Sequence, residues 1–373
     1  MTSTLCKEEW NLVKTLLPPD LEASAKSTLA IRRAREIKDA DSLLRLLFLH
    51  VAGGLSLEQT VYRATQLGFA KMSAVVLFKR LRGARAWLEY LCAQLIAEHA
   101  TRHSVDWPFA GRNCRVLDAS DIREPGATGS SWRLHYSIML PTLRCDFAKF
   151  TPCTTGERLQ NMPVEKGDLI LADRAYGKRA QVAWLMESGA DACIRLHPPA
   201  FPAHEQNDAG DADDETDIPL DWLAMLNALP ATSAGEKKVH FKHQKKTCTV
   251  RICAIRKSAT AAEQARHKIT IEARKKGRKL RDQTLQMADY IVILTTLPAA
   301  EVSAAQVLEL YRCRWQVELA FKRLKSLLAM SAVPKTDEQS ARSWMQAKLL
   351  ESLLIERLLE QSRALSPWGY KQG

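Results

Sequence analysis

Three acidic residues of this chain occur in an order that suits metal binding. Asp118 and Asp173 each follow a short apolar run that predicts a buried strand, and Glu318 lies in a predicted helix. A carboxylate at the end of a buried strand is costly to place unless it serves a site. Carboxylate oxygens are the ligands that Mg2+ prefers, and a pair of such ions can drive phosphoryl transfer. The three acids therefore indicate metal-dependent phosphoryl-transfer chemistry.

Each acid also has an ordinary structural interpretation. Asp118 can form an Asx turn after its strand, and Asp121 is a competing carboxylate that falls on the opposite strand face. Asp173 can pair with Arg174 or cap the next helix, and Glu318 can belong to a surface ion-pair pattern. The occurrence of all three acids, in this order and in a basic chain, favours a common site.

One face of the predicted helix gathers further polar groups around Glu318. The helix is predicted to begin at Ser303. At about 100° per residue, Tyr311, Arg314 and Lys325 fall with Glu318 within roughly 60° of arc. The adjacent and opposite sides predict an apolar stripe that packs against a sheet, formed by Val317, Ala320, Leu324, Leu327 and Leu328.

The elements that must position these residues predict a mixed α/β domain. A helix is predicted over 178–188, ended by Gly189. The predicted strands are 114–118, 132–140, 144–150, 168–172, 193–196 and 289–297. Strands first, followed by strand–helix alternation, indicate a partly antiparallel sheet.

Residues 1–110 have the composition of an all-helical N-terminal region. Within it, 56–82 is a candidate helix-turn-helix, in which Ser56 begins a capping box and Gly68 suits a tight turn. Ser73 can cap a second helix whose basic end would lie against DNA phosphates. The alternative is an ordinary helical hairpin.

Positive charge is concentrated in one segment. The 373-residue chain has a net charge of +12, and its 46% hydrophobic and 26% charged residues exclude a disordered or collagen-like protein. Residues 237–281 hold 16 Lys or Arg against two acids. We interpret this segment as a nucleic-acid surface, although a charge run is otherwise a solvated face. The DNA-binding candidates within it are Lys245, Lys246, Arg274, Lys275, Lys276, Arg278 and Lys279.

The sequence predicts neither a membrane segment nor a disulfide framework. The longest apolar stretch, 43–57, is interrupted by polar residues and is too short to span a bilayer, and the N-terminus has no apolar signal core. The nine cysteines are odd in number and include no Cys-x2-Cys pair, which is typical of reduced thiols. We therefore expect a cytoplasmic protein that binds a polyanion and no membrane.

The polar helix face resembles a known family signature. The pattern Tyr311-x2-Arg314-x3-Glu318-x6-Lys325 is similar to that of DDE transposases of the insertion-sequence-four family. This cut-and-paste group includes the Tn-five and Tn-ten transposases. The residues from Tyr311 to Lys325 resemble the family throughout, and the resemblance covers most of the chain, from about 40 to 350.

Both aspartates lie in runs that resemble the other two motifs of this family. The run 171–176, Leu-Ala-Asp-Arg-Ala-Tyr, is similar to the second-Asp motif, and 116–120, Val-Leu-Asp-Ala-Ser, to the first. The first motif usually reads Asp-Gly-Thr, so Ala119 and Ser120 depart from it.

The resemblance implies a ribonuclease-H-like catalytic domain at 111–197 and 286–335. A basic β-rich insertion at 198–285 would interrupt it, beginning with a solvated loop that holds seven acids at 205–217. The all-helical N-terminal domain would precede it, and 336–373 would form a C-terminal helix, shortened relative to relatives with a long dimerisation region.

The resemblance also implies the chemistry. Asp118, Asp173 and Glu318 would bind two Mg2+ ions, with Mn2+ as a substitute. A nick at the element end would free a 3′-hydroxyl that attacks the other strand to give a hairpin, which water reopens before strand transfer. Tyr311, Arg314 and Lys325 would hold terminal phosphates, and a dimer would act on paired inverted repeats and target DNA.

Two other functions remain open from the residues alone. One is a catalytically degenerate DNA-binding protein or repressor, and the other is a stand-alone metal-dependent nuclease. The presence of all three carboxylates argues against degeneration.

Overall fold

The computed structural model of the chain describes residues 10–32, 36–100, 109, 111–205, 218–230 and 232–364. Helices dominate up to residue 100, as predicted, and a large mixed sheet with helices follows. Residues 206–217 of the predicted acidic loop lie outside the described residues. The helices before the sheet are α1 (Leu21–Ser27), α2 (Ala40–Val51), α3 (Leu57–Gln66), α4 (Ala74–Gly83) and α5 (Arg85–Ala100).

The candidate helix-turn-helix forms two helices with the expected starts. The Ser56 hydroxyl accepts from the Gln59 N–H and the Gln59 side chain accepts from the Ser56 N–H, which is the predicted capping box. The connection spans 67–73, longer than the three- or four-residue turn of that motif. Arg82, near the end of α4, lies 3.2 Å from Asp337. The motif therefore stays a prediction, and one of its basic residues already has an acidic partner.

The strands of the described residues form one mixed sheet. They are β1 (Asn113–Arg123), β2 (Ser130–Met139), β3 (Arg144–Pro152), β4 (Asp168–Ala172), β5 (Asp191–Arg195), β6 (His204–Glu205), β7 (Gly235–His243), β8 (Lys246–Arg256) and β9 (Tyr290–Thr295). Their order is β3-β2-β1-β4-β5-β9-β8-β7-β6. β4 and β5 run parallel to β1, and every other neighbouring pair is antiparallel.

Both faces of the central sheet are buried. Leu169 and Leu171 of β4 belong to the core shared with the N-terminal and C-terminal helices, whereas Ile170 and Ala172 belong to the core on the other face. Side chains of a strand alternate between faces, so a strand covered on both sides is apolar at every position. This explains the uninterrupted apolar run before Asp173.

The helices that follow β4 include those that carry the residues of the polar face predicted around Glu318. They are α6 (Arg179–Glu187), α7 (Trp222–Asn227), α8 (Ala259–Lys275), α9 (Asp282–Met287), α10 (Ala304–Arg312), α11 (Trp315–Lys322) and α12 (Glu338–Ala364). Ser303 caps α10, as predicted. The single long helix expected from Ser303 is instead divided at residues 313–314, and a π-helical turn, Arg323–Leu327, follows α11. Because a π turn adds a residue to each turn, the face drawn at 100° per residue does not extend to Lys325.

Part of the basic segment 237–281 serves the fold. Arg251 of β8 is buried and donates to the carbonyl oxygens of Leu297 and Val302 at 2.5 and 3.0 Å. It also pairs with Glu236 at 2.5 Å. Residues 250–254 of β8 are all buried, so both faces of the strand are covered there.

The 27-residue helix α12 joins the N-terminal helices to the sheet. Arg357 donates to the Leu16 carbonyl at 3.0 Å and lies 2.8 Å from Glu98. Glu356 accepts from the Cys145 N–H at 3.3 Å. No helix in the described part of the chain, α12 included, is long and apolar enough to cross a membrane.

Candidate active site

Two parallel strands bring Asp118 and Asp173 side by side. Val116 of β1 is in register with Leu171 of β4, and each aspartate lies two residues further along. Asp173 directly follows β4, as predicted, but β1 continues to Arg123. The expectation that Asp118 ends its strand was wrong, because pairing with β2 carries β1 well past this residue.

Asp118 is partly buried, with its side chain 20% exposed, and lies beside other negative charge. Its pKa is raised to about 7, chiefly because burial penalises the charged carboxylate and also because Asp173 and Glu157 are near. The Ala119 N–H, which donates to Oδ1 at 2.8 Å, and the Arg314 guanidinium act in the opposite direction. Burial therefore makes the charged form of this carboxylate costly, and a bound cation would offset that cost.

Asp173 is held by the turn that follows β4. Its Oδ1 accepts from the Ala175 N–H at 2.8 Å, which is an Asx turn. The turn packs closely on β5, because a Cβ added at Gly177 would lie 2.9 Å from the Arg195 carbonyl oxygen. This contact fixes the end of β4 against β5 and so fixes the Asp173 side chain.

Arg314 lies between Asp118 and Glu318. One guanidinium nitrogen is 3.6 Å from Oδ2 of Asp118, and another donates to Oε1 of Glu318. The Glu318 side chain is 58% exposed, whereas that of Arg314 is 17% exposed. Among the described residues, no three His, Cys, Asp or Glu side chains lie close enough to hold a metal together. The structure brings the two aspartates together and keeps Glu318 on Arg314.

Two tyrosine hydroxyls are buried beside the carboxylates. Neither Tyr176 nor Tyr311 has a hydrogen-bond partner for its hydroxyl among the described residues. Burial raises the pKa of both phenols, and the charge of Asp118 adds to this effect at Tyr176. A buried hydroxyl without a partner costs about 1–3 kcal/mol. Both groups are therefore available as donors to a ligand that enters the site.

Lys325 lies away from the other residues of its motif. It belongs to the π-helical turn, and its pKa is lowered by burial and by the nearby charge of Arg123, whereas Asp121 opposes that shift. Asp121 accepts from Arg133 at 2.8 Å. The competing carboxylate is therefore paired with Arg133 and lies near Lys325, on the strand face opposite Asp118.

Sequence reasoning missed three cations at the same edge of the sheet. Arg174 follows β4 by two residues, Arg195 ends β5 and Lys257 follows β8, and these three strands run in one direction. Burial lowers the pKa of Arg195 and of Lys257, and the charge of Arg174 adds to this effect at both. Cations that repel one another, here the exposed Arg174 and the half-buried Arg195 and Lys257, suit a bridging phosphate. Their positions at strand ends were a signal, but the pairing that unites them was not readable.

The predicted DNA-binding cations of the basic segment are exposed and lie apart from the carboxylates. Lys245 lies in the turn between β7 and β8, and Lys246, the first residue of β8, lies 2.7 Å from Glu187. The others lie at the end of α8 or just after it, and they are Arg274, Lys275, Lys276, Arg278 and Lys279. Cations there also favour the helix through its dipole.

Comparisons with known proteins give consistent matches. The family described as transposase DDE domain matches residues 146–354. The putative transposase InsL for insertion sequence element IS186A of Escherichia coli (strain K12) is 33% identical over 358 residues, 94% of this chain and 93% of that protein. The transposase for insertion sequence element IS421 of Escherichia coli is 33% identical over 359 residues, with the same coverage. A solved piggyBac transposase synaptic complex with hairpin DNA has a TM-score of 0.45 and 9% identity over 95% of this chain and 75% of that one, too low for an argument.

Proposed function

The chain belongs to the family of DDE transposases of bacterial insertion sequences, of the insertion-sequence-four type, and from that premise we propose which residues cut and join its element ends. Asp118, Asp173 and Glu318 form the catalytic carboxylate triad. The observation that carries this proposal is the register of β1 and β4, which puts the two aspartates side by side under the helix that bears Arg314 and Glu318.

The sheet supports a ribonuclease-H-like catalytic domain. Strands β3-β2-β1-β4-β5 combine an antiparallel meander with two parallel strands, which is the order expected for that fold. We assign this domain to 111–197 and 286–335, the insertion to 198–285, and the helical N-terminal and C-terminal parts to 1–110 and 336–373.

The residues at this edge of the sheet fit divalent cations. The donor set is all carboxylate, which suits Mg2+, and partial burial makes the charged form of Asp118 costly, which a bound cation would offset. Asp118, Asp173 and Glu318 would hold two ions, Mg2+ or Mn2+ in its place. When bound, such ions polarise the phosphate and lower the pKa of an attacking hydroxyl.

The chain's own side chains then bind and orient the DNA strand. Arg314 neutralises Asp118 and Glu318 in the free protein and turns to a terminal phosphate, together with Tyr311, when DNA enters. Arg195, Arg174 and Lys257 hold further phosphates along the same edge of the sheet, where their mutual repulsion favours an anion.

The finer course of the reaction follows the family pattern. The nicked strand's 3′-hydroxyl attacks the opposite strand to form a hairpin, water reopens it, and the freed end joins target DNA. We propose that a homodimer pairs two inverted repeats and that the protein works in the bacterial cytoplasm on nucleoid DNA.

A donor plasmid that carries both element ends tests the proposal directly. Full-length protein with Mg2+ should cut at the ends, and EDTA should abolish cutting. Glu318→Gln should lose cutting but keep end binding, since it removes a metal ligand and leaves the phosphate contacts. Glu309→Gln is the matched control, because Glu309 forms a similar exposed pair with Arg312 on α10 at 2.8 Å.

Each result separates the competing functions. End binding without metal-dependent cutting by the wild-type protein would support a repressor instead. Cutting without any joining to target DNA would support a nuclease. Full cutting activity in the Glu318→Gln protein would remove Glu318 from the catalytic triad.

A further inference from the structure

Helix α8 has little of its surface covered by the rest of the protein. All 17 of its residues are described, and only Ala262 and Ala273 are buried. Arg266 donates to Asp289 and fastens the middle of the helix. A helix that is polar nearly all round gains little from packing, so its exposed side calls for another explanation.

Four exposed residues form a straight stripe along that side. At about 100° per residue, Gln264, Lys268, Ile271 and Lys275 fall within roughly 60° of arc, opposite the two buried alanines. Ile271, in the middle of the stripe, is 37% exposed. The two acids of the helix lie to the sides of the stripe, which therefore carries positive charge only.

We propose that this stripe reads base pairs in the major groove of the element end. The inference rests on the proposed function, because a transposase must distinguish its own ends from other DNA. The major groove, about 12 Å wide, admits an α-helix. There a Gln amide pairs with adenine, a Lys ammonium with guanine O6 and N7, and an apolar side chain with the thymine methyl group.

The dimensions of the stripe match a short DNA segment. Eleven residues separate its ends, which is about 16 Å at 1.5 Å per residue. This length covers about five base pairs at 3.4 Å each. The exposed cations after the helix, Lys276, Arg278 and Lys279, stand where they hold the flanking phosphates.

The start of α8 lies beside the candidate active site. Ser258 caps the helix. The preceding residue, Lys257, is close enough to Arg195 and Arg174 for their charges to help lower its pKa. A duplex that places its cut phosphate at the carboxylates therefore reaches α8 within about one helical turn, roughly 10 base pairs. The base pairs that α8 reads lie in that interval.

Selection from a pool of duplexes with a randomised segment tests the proposal on the full-length protein. The wild-type protein should enrich a motif. Gln264→Ala and Ile271→Ala should each lose the preference at a few positions of that motif, by about tenfold per position. Lys279→Ala, which removes one of the flanking phosphate contacts, should weaken all sequences alike and lower the slope of log affinity against log salt by about 0.9.

Matched exposed residues elsewhere serve as controls. Gln283→Ala on α9 and Ile355→Ala on α12, where Ile355 is 40% exposed, should leave the enriched motif unchanged. An unchanged motif for the double variant Gln264→Ala/Ile271→Ala would overturn the inference. Plasmid end cutting by the wild-type protein is measured in parallel. If the wild-type protein cuts the ends but the double variant keeps the motif, the inference about the stripe fails while the proposed transposase function stands.

Discussion

At the scale of single residues, Arg314 sets the charge balance of the candidate active site. Its guanidinium spans Asp118 and Glu318, so it balances the negative charge that burial makes costly. A guanidinium cannot replace a divalent ion in chemistry, because it offers hydrogen bonds but no open coordination position. The charge of the free site is therefore neutralised by Arg314, and under the proposed triad Glu318 would have to leave Arg314 before it could bind metal.

Replacing the two candidate carboxylates of β1 should separate their roles. Asp118→Asn should lower plasmid end cutting by roughly a hundredfold or more, as expected for the loss of a charge-stabilising group. Asp121→Asn should retain metal-dependent cutting, because Asp121 pairs with Arg133 at 2.8 Å on the other strand face. Initial cutting rates with Mg2+ measure both effects.

Urea unfolding in EDTA provides the control for folding. Burial disfavours the charged form of Asp118, so the Asp118→Asn protein should be at least as stable as the wild type at pH 8. Equal loss of cutting in both variants would contradict the assignment of Asp118.

Arg195 should contribute one phosphate contact. Arg195→Gln should weaken binding of an end duplex and lower the slope of log affinity against log salt by about 0.9. Arg312→Gln is the comparison, because Arg312 is exposed on α10 and pairs with Glu309. Titrations at several salt concentrations measure the slopes, and equal slopes for Arg195→Gln and wild type would exclude the contact.

Asp173 could be predicted from sequence and the cation group could not. Asp173 follows an apolar run whose length and burial define a strand end, which is a local property. Arg174, Arg195 and Lys257 come together only because β4, β5 and β8 run in the same direction within one sheet, with β9 between β5 and β8. No periodicity within a short window reports such pairing.

At the scale of elements, the turn after β4 sets the depth of the site. An added Cβ at Gly177 would meet the Arg195 carbonyl oxygen at 2.9 Å and the Leu196 side chain at 3.0 Å. One neighbour is backbone and cannot move without shifting β5. The turn and the strand therefore act as one unit that carries Asp173 and Arg195 together.

Gly177→Ala should disturb that unit. We expect a loss of about 1–3 kcal/mol in the free energy of unfolding, since overpacking against backbone costs this much, with a fall in end cutting. Gly129→Ala is the control, because nothing lies within 4 Å of the position of its Cβ. Urea unfolding measures the difference, and similar stability of both variants would show that the turn is free to shift.

Helix starts were predictable, and the division of the helix around Glu318 was not. Ser56 and Ser303 form capping boxes with residues three positions later, a motif that four consecutive residues of the sequence reveal. Residues 313–314 keep helical dihedral angles, with Arg314 at φ −55° and ψ −30°. Neither residue type breaks a helix, so the interruption depends on packing against the sheet.

At the scale of the whole molecule, helix α12 is the main tie between the N-terminal helices and the sheet. Its residue Glu356 accepts from Tyr136 and Cys145 within the core. Burial raises the pKa of this carboxyl to about 7. The folded state therefore holds this proton more tightly than the unfolded chain, where a glutamate titrates near 4.3.

This difference predicts how stability depends on pH. The free energy of unfolding should fall as the pH rises from about 5 to about 8, because the folded state must give up a proton that it binds more tightly. Glu356→Gln removes this titration, so the variant should gain stability over the wild type across that range. Urea unfolding at several pH values measures the gain, with Glu338→Gln, 68% exposed, as the control. A constant difference between variant and wild type would contradict it.

The mixed α/β architecture was predictable, whereas the continuity of the sheet was not. The apolar run at 289–297 predicted a strand that rejoins the main sheet, and β9 does pair with β5. That β8, β7 and β6 then extend the same sheet depends on pairings between β9 and residues some forty positions earlier. Such long-range registers carry no local signature.

The continuous sheet holds the start of α8 at a fixed distance from the carboxylate edge. β9 is hydrogen-bonded to β5 on one side and to β8 on the other, so the start of α8 and the carboxylate edge belong to one rigid plate. Under the proposal that α8 reads the element end, the spacing between the recognised base pairs and the cut bond is then built into the protein. Inserting one base pair between the recognised base pairs and the cut bond would rotate and displace that bond relative to the carboxylates. Such an element end should no longer be cut, and the cut should not move to a new position.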